Sequence, residues 1–464
     1  MRPFAIELSD RALAFARDGQ VLSVEPSAVF DGSTGEIAGA QAWHAVRRYP
    51  AATSTQHLNA LASQPEASSR PVALVAAELR RRLSVHAPRE GERVWLVAPA
   101  HVDVHGLGTL AGIARDTLNL PMDGVVDSAA VTIAGLGLGR DAVVLELGLH
   151  HVAATAVDSD RVVRRRRAVS SARGGLMDLY TAWLDLISAA MVKQTRFDPL
   201  HDAATEQQLF DELPALAGQA AAQGSAIAGV TVGNDRIEVS LTRDQFTDAG
   251  QAVYREIFRL LHELRPAGAS VALVVPAMTA ALPGFRQEVE QFVGCELICI
   301  PDGFAAAATS MLDLPEAAGE DAVRFLRRLP VQGAIDLASS AQRETLGQVR
   351  VTAPPASHVL LDGRAYALGP EALVVGRVPP GTANAIALPE GLAGVSRRHC
   401  TFMRDGGELV LIDHSTFGTF VNGERVAERV RVHAGDRVRI GDPGVELALI
   451  AVGDASPDAA NRAV

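Results

Sequence analysis

The sequence predicts an α/β region built twice over, followed by an all-β sandwich. Two observations carry this. A run of three strands, then a strand and helix, then a short strand and an alanine-rich helix, occurs twice within residues 1–330. Beyond residue 356 the chain changes to short β-rich runs separated by turn residues, the spacing of a sandwich of about a hundred residues.

In the first copy Phe4–Leu8, Ala12–Arg17 and Val21–Val24 read as strands joined by tight turns. Val143–Leu147, Val152–Val157 and Val162–Arg166 repeat that meander. The first strand ends in an acid in both copies, Glu7 and Glu146. Next come Val94–Ala100, reading V-W-L-V-A-P-A, and Val271–Ala277, reading V-A-L-V-V-P-A. Helical patterns follow them at Gly108–Leu118 and Gly284–Phe292. Each copy closes with a short strand, Gly124–Val126 or Glu296–Ile300, and an alanine-rich helix opened by an aspartate cap, Asp127 or Asp302. Two such halves, about 1–137 and 138–313, imply a cleft between them, a favoured place for a ligand.

The glycine pair Gly174-Gly175 precedes a helix at Leu176–Met191, and an insertion at Thr195–Gln223 carries the amphipathic run Glu206–Leu216. From residue 314 to 356 the pattern loosens around Pro315, Pro330, Pro354 and Pro355, which predicts a linker with a short helix at Asp321–Arg328. The sandwich is expected over 357–452, with a disordered tail at 453–464. Its strands are expected at Ala372–Gly376, Cys400–Met403, Leu409–Ile412, Phe420–Val421, Arg437–Ile440 and Glu446–Val452. Asp405-Gly406-Gly407, Asn422-Gly423 and Ala434-Gly435-Asp436 supply turns between them.

Composition narrows the function classes. At 464 residues, 48% apolar and 21% charged, the chain suits two or three globular domains. A formal net charge of −11 argues against nucleic acid as the main partner. The run Arg164–Arg167 is the local exception, read as a solvated strand end with a docking patch as the alternative. No apolar stretch approaches the roughly 20 residues that span a bilayer. Met1-Arg2-Pro3-Phe4 leads straight into a strand without a signal-peptide pattern, so a cytoplasmic chain is expected. Cys295 and Cys299 lie in an extended run, about 13 Å apart by strand rise, too far for a disulfide. No metal-ligand spacing appears, and His44, His150 and His151 are read as structural or exposed.

The densest chemistry lies between Gly376 and Gly423. Gly376-Arg377, Ser396-Arg397-Arg398-His399 and Ser415-Thr416-Phe417-Gly418-Thr419 place guanidiniums and hydroxyls on loops at one end of the sandwich. Such a set suits a phosphate, whose oxygens accept charge-assisted hydrogen bonds worth about 1.5–3 kcal/mol each. These motifs, in this order and ending in Asn422-Gly423, resemble the forkhead-associated (FHA) domain over roughly residues 356–452. That resemblance implies a phosphothreonine reader, with Arg377, Ser396, Arg397, Thr416, Phe417 and Asn422 at the phosphopeptide and Gly376, His399 and Gly418 shaping the loops. One position departs: the family usually has asparagine where this chain has Phe417, and phenylalanine cannot hydrogen-bond a peptide main chain.

The N-terminal region resembles the actin-like ATPase superfamily, including MreB and the DnaK-like chaperones. The resemblance rests on Ala5-Ile6-Glu7-Leu8-Ser9, Glu25-Pro26-Ser27, Gly174-Gly175 and Leu241–Phe246, within about residues 3–312. It implies two RNase H-like halves around a nucleotide, with Glu7, Glu146, Gly148, Gly174 and Gly175 at the nucleotide positions. The motifs are degenerate. The first hairpin, Glu7-Leu8-Ser9-Asp10, has no glycine, the second keeps Gly148 alone, and Pro276 stands where a glycine pair is expected. No cofactor is therefore required, although a glutamate can hold magnesium, which leaves ATP with magnesium open. Two functions follow. One is a non-catalytic adaptor that binds a phosphothreonine protein and docks or self-assembles through its N-terminal domain. The other is a nucleotide-switched protein, with Glu7 and Glu146 as catalytic acids, recruited through the FHA-like domain.

Overall fold

The computed structural model describes residues 2–32, 35–63, 69–265, 270–315, 323–331, 334–335, 341–346, 356–378, 384–389, 391–392, 394–405, 408–422, 424–441 and 444–451. Two compact units divide the chain, Met1–Arg265 with Ser270–Leu346, and a second one over Gly347–Val464. The expected tail at 453–464, Pro354 and Pro355, and the turn glycines Gly406, Gly407 and Gly423 lie outside the described residues.

In the first unit the meander Phe4–Leu8, Ala12–Arg17, Gln20–Pro26 is antiparallel, and Val94–Ala98 joins the first strand parallel, followed by Met122–Asp127. The second half repeats this arrangement. Ala142–Leu147, Val152–Ser159 and Val162–Ser171 form the meander, Ala272–Pro276 joins its first strand parallel, and Glu296–Ile300 follows. In both sheets the order is therefore third, second, first, fourth, fifth. Fully buried apolar strands such as Val94–Ala98 account for the near-continuous apolar runs in the sequence. The alanine-rich helices Ser128–Leu136 and Phe304–Thr309 pack together between the sheets. A Cβ on Gly135 would stand 2.6 Å from the Cβ of Ala308, so small residues set this close approach.

Among the described residues, three strands fall in the stretch expected to be linker. Arg324–Leu326 extends the first sheet parallel to Met122–Asp127. Arg328–Pro330 pairs with Val162–Ser171, and Gln342–Thr345 pairs with Glu296–Ile300. The helix expected at Asp321–Arg328 is thus corrected to strand in its described part, because open sheet edges offer backbone partners that a short isolated helix lacks. The compact unit accordingly runs on to Leu346.

Asp127 caps its helix, accepting the Ala130 N–H at 3.0 Å. Asp302 does not: Gly303, at φ 75°, is the cap residue, and Asp302 instead pairs with Arg11 at 2.6 Å. The run Arg164–Arg167 is neither free patch nor merely solvated. Arg164 and Arg166 pair with Asp158, Arg165 with Asp127 and Arg167 with Glu263.

The second unit is all-β. One sheet runs Arg364–Ala367, His358–Leu361, Val445–Ile450, Arg437–Ile440, Thr419–Val421, Glu424–Arg425. The other runs Ala385–Ala387, Leu373–Gly376, Cys400–Asp405, Glu408–Asp413, Arg429–Arg431. Val359, Val375, Phe402, Leu411, Val438 and Leu447 fill the core between them. Among the described residues no helix is long and apolar enough to cross a membrane.

Candidate functional site

The loops leaving Leu373–Gly376 and preceding Cys400–Asp405 are laid together by backbone hydrogen bonds. Arg377 N–H donates to the Ser396 carbonyl at 3.1 Å and Val378 N–H to that of Arg397 at 3.0 Å. Gly376 permits this contact, since a Cβ there would overlap the Arg397 carbonyl oxygen. His399, fully buried, ties in the third loop. Its Nδ1 accepts the Ser396 N–H at 3.1 Å and its Nε2 faces the Gly418 carbonyl at 3.2 Å, which requires the neutral ring protonated on Nε2. Burial lowers its pKa, in keeping with that neutral state.

The third loop is shaped by Asp413, a residue the sequence motifs did not single out. Its carboxylate accepts the Ser415 N–H at 2.9 Å and the Thr419 hydroxyl at 2.8 Å. Burial alone would raise its pKa, but these bonds hold it below the ordinary value. The only sequence trace is the Asp-x-Ser spacing of an Asx turn. Thr416 N–H donates to Ser396 Oγ at 3.2 Å, leaving the Ser396 hydroxyl proton for an outside acceptor. Gly418, at φ 98°, lies against the Arg425 side chain, which brings a further guanidinium to the same end.

Asn422 stands apart from this group. Its side chain donates to Asp436 at 2.9 Å and accepts the Arg437 N–H at 2.9 Å, so its amide closes a hairpin, and φ of 50° fits that turn. The described contacts of Asn422 are those of the hairpin, and its expected place at the peptide is a separate role that these bonds do not use. Phe417 is 61% exposed.

The charges are unevenly satisfied. Arg429, Arg431 and Arg437 pair with Asp405, Glu408 and Glu446, while Arg439 lies over the Phe420 ring. At the loop end Arg377, Arg397 and Arg425 are exposed, with no hydrogen-bond or ion-pair partner for their guanidiniums among the described residues. Unpaired cations beside a free hydroxyl form a site for an anion with several acceptor oxygens. The family model of the FHA domain matches residues 373–441, the span holding all of these loops. This segment is an FHA domain. No curated protein matches the chain.

The second candidate site lies in the first unit, and its geometry is closed. Glu7 accepts the Ala306 N–H at 3.0 Å, reaching the alanine-rich helix of the other half. Glu146 reaches the opposite way, accepting the Ala100 N–H at 3.1 Å and the Ser128 hydroxyl at 2.7 Å. Asp10 spans the two hairpins and accepts N–H groups of Leu149 at 3.0 Å and His150 at 2.9 Å. The cavity left among Glu7, Ser9, Glu146, Gly148, Pro276 and Asp302 is about 70 Å³, far below the roughly 300 Å³ at which ligand pockets begin.

Gly174 and Gly175 lie behind the second hairpin. The helix Leu176–Thr195 starts there, and its Leu176 and Met177 N–H groups donate to the carbonyls of Gly148 and Leu149 at 2.9 and 2.8 Å. A Cβ on Gly175 would overlap the Leu149 carbonyl, so this glycine serves helix-to-hairpin packing. Among the described residues no cluster of three His, Cys, Asp or Glu side chains could hold a metal.

Burial pushes the Glu7 carboxyl up to about 7, against the opposing pull of the Ala306 N–H. Glu146 is also raised, chiefly by burial. The folded state therefore keeps a proton on Glu7 that the unfolded chain has released, and this contribution to stability falls as pH rises from about 4.5 to about 7. Glu7→Gln keeps an acceptor for Ala306 and abolishes the ionisation. Its stability relative to wild type should rise between about pH 5 and pH 8, by up to about 3 kcal/mol, in urea unfolding of the first unit. A difference constant with pH contradicts the assignment.

Proposed function

We propose that the chain is a phosphothreonine-dependent adaptor whose FHA domain binds a phosphorylated protein and whose N-terminal unit is a non-catalytic scaffold. The observation that carries the first half is the concentration of unpaired guanidiniums, Arg377, Arg397 and Arg425, on the loops that Ser396, His399 and Asp413 hold together. Threonine is favoured over serine by the family's mode of recognition. The scaffold reading draws support from the duplicated strand order, which fits a pair of RNase H-like halves of the actin and DnaK kind, and from the 70 Å³ cavity where such a fold would keep its nucleotide. Glu7 and Glu146 act on this reading as cross-half braces. Full-length protein with magnesium and ATP should show no turnover above a heat-denatured control. Hydrolysis that disappears in Glu146→Ala would replace the scaffold with the nucleotide-switched alternative.

Phe417 gives the peptide site an apolar wall. Exposure of 61% leaves little core contact to lose, so the side chain faces whatever lies beside the phosphothreonine. Phe417→Asn should change the melting temperature little and shift a phosphopeptide array away from large apolar neighbours. A large melting shift with unaltered selectivity overturns that role.

A further inference from the structure

Asp10 closes the first-hairpin run Glu7-Leu8-Ser9-Asp10 without a role the sequence assigns, yet it is 1% exposed and accepts hydrogen bonds from three residues. It extends from the first hairpin into the second. Its oxygens accept the Leu149 and His150 N–H groups and the Asn59 amide at 2.7 Å, and His151 Nδ1 lies 3.2 Å away. Two successive backbone N–H groups aimed at one anionic group form the kind of concavity that binds phosphate in other loops. A Cβ on Gly148 would overlap Asp10 Oδ1, so the hairpin's single glycine makes room for this carboxylate. Burial alone would raise the Asp10 pKa, but His151, the His150 N–H and Asn59 hold it well below the ordinary range, and the group is anionic.

We propose that Asp10 is a built-in substitute for a phosphate: it fills the oxyanion concavity of the second hairpin and keeps the two halves closed without any ligand. This rests on the scaffold reading of the N-terminal unit and says what replaced its ligand. Other cross-half contacts are arranged to the same end. Arg11 pairs with Asp302, and Trp43 stacks on Phe210 at 4.9 Å while Gln207 bonds the backbone of Trp43 and Arg47. Removing the carboxylate vacates the space it fills beside Gly148 and His151, two residues that also line the neighbouring cavity of about 70 Å³.

The test is chemical rescue in the full-length protein. Asp10→Ala should lower the melting temperature of the first unit by several degrees. Inorganic phosphate at millimolar concentration should restore at least half of that loss, because a ligand bound only by the folded state raises its stability by mass action. Chloride at matched ionic strength should restore none, and melting of the wild-type first unit should not respond to phosphate. Rescue absent from a folded Asp10→Ala, or an equal phosphate response in wild type, overturns the proposal. Should the variant not fold, amide exchange of wild type decides: Leu149 and His150 must be protected, and unchanged by phosphate. ATP hydrolysis by wild type would instead count against the scaffold reading, so the two failures are distinct.

Discussion

Arg397→Ala in the full-length protein weakens binding of a phosphothreonine peptide by about 1.5–3 kcal/mol, roughly 12- to 160-fold, the worth of one charge-assisted hydrogen bond. The same substitution leaves the melting temperature of the FHA domain unchanged. Both expectations come from one fact: the Arg397 guanidinium is exposed and has no partner among the described residues, so nothing in the fold depends on it. Its backbone is another matter, since the Arg397 carbonyl accepts the Val378 N–H at 3.0 Å, and alanine preserves that bond. Salt should erode the affinity difference, because the site is open to solvent. Fluorescence anisotropy at two ionic strengths measures both effects. Undiminished affinity in Arg397→Ala would remove this residue from the site.

Gly376→Ala acts through the fold. The added methyl would overlap the Arg397 carbonyl oxygen and press on the Arg398 Cα at 3.0 Å, both backbone atoms that no side-chain rotation can clear. The loop at 396–398 must move, and with it go the Arg377-to-Ser396 and Val378-to-Arg397 hydrogen bonds. Overpacking of about 1–3 kcal/mol and the loss of two bonds of about 1 kcal/mol each lead to a destabilisation of roughly 3–5 kcal/mol. Phosphopeptide binding should be lost even where the domain remains folded, since Arg377 and Arg397 no longer share one surface. Urea unfolding of the full-length protein, followed beside peptide binding, checks both. Wild-type stability in Gly376→Ala would mean that the loops are not joined as described.

Elements defined by local pattern were readable in the sequence, and roles defined by distant neighbours were not. The meander strands and the strand at Glu296–Ile300 carry apolar runs bounded by turn residues, and the first strand has the bounds its apolar run predicts, Phe4–Leu8. Arg377, Ser396 and His399 lie in motifs whose residue types name their chemistry. Asp302 has the residue type of a cap, but Arg11, 291 positions earlier, takes its carboxylate. The hairpin partners of Asn422, Asp436 and Arg437, lie 14 and 15 positions on and leave no local trace. The role of Asp10, though the residue closes the first-hairpin run, has no local signature because its backbone donors lie 139 and 140 positions away. Arg425 reaches the phosphate loops only through the pairing of Phe420 with Arg425.

Titration of one peptide in three forms tests the central claim most directly. A sequence selected on a phosphothreonine array is synthesised with phosphothreonine, phosphoserine and unmodified threonine, and each is titrated calorimetrically into the full-length protein. A phosphothreonine-reading site gives measurable binding of the phosphothreonine form, weaker binding of phosphoserine, and a loss of at least about tenfold for the unmodified peptide. Equal affinity for the phosphorylated and unmodified forms would contradict it.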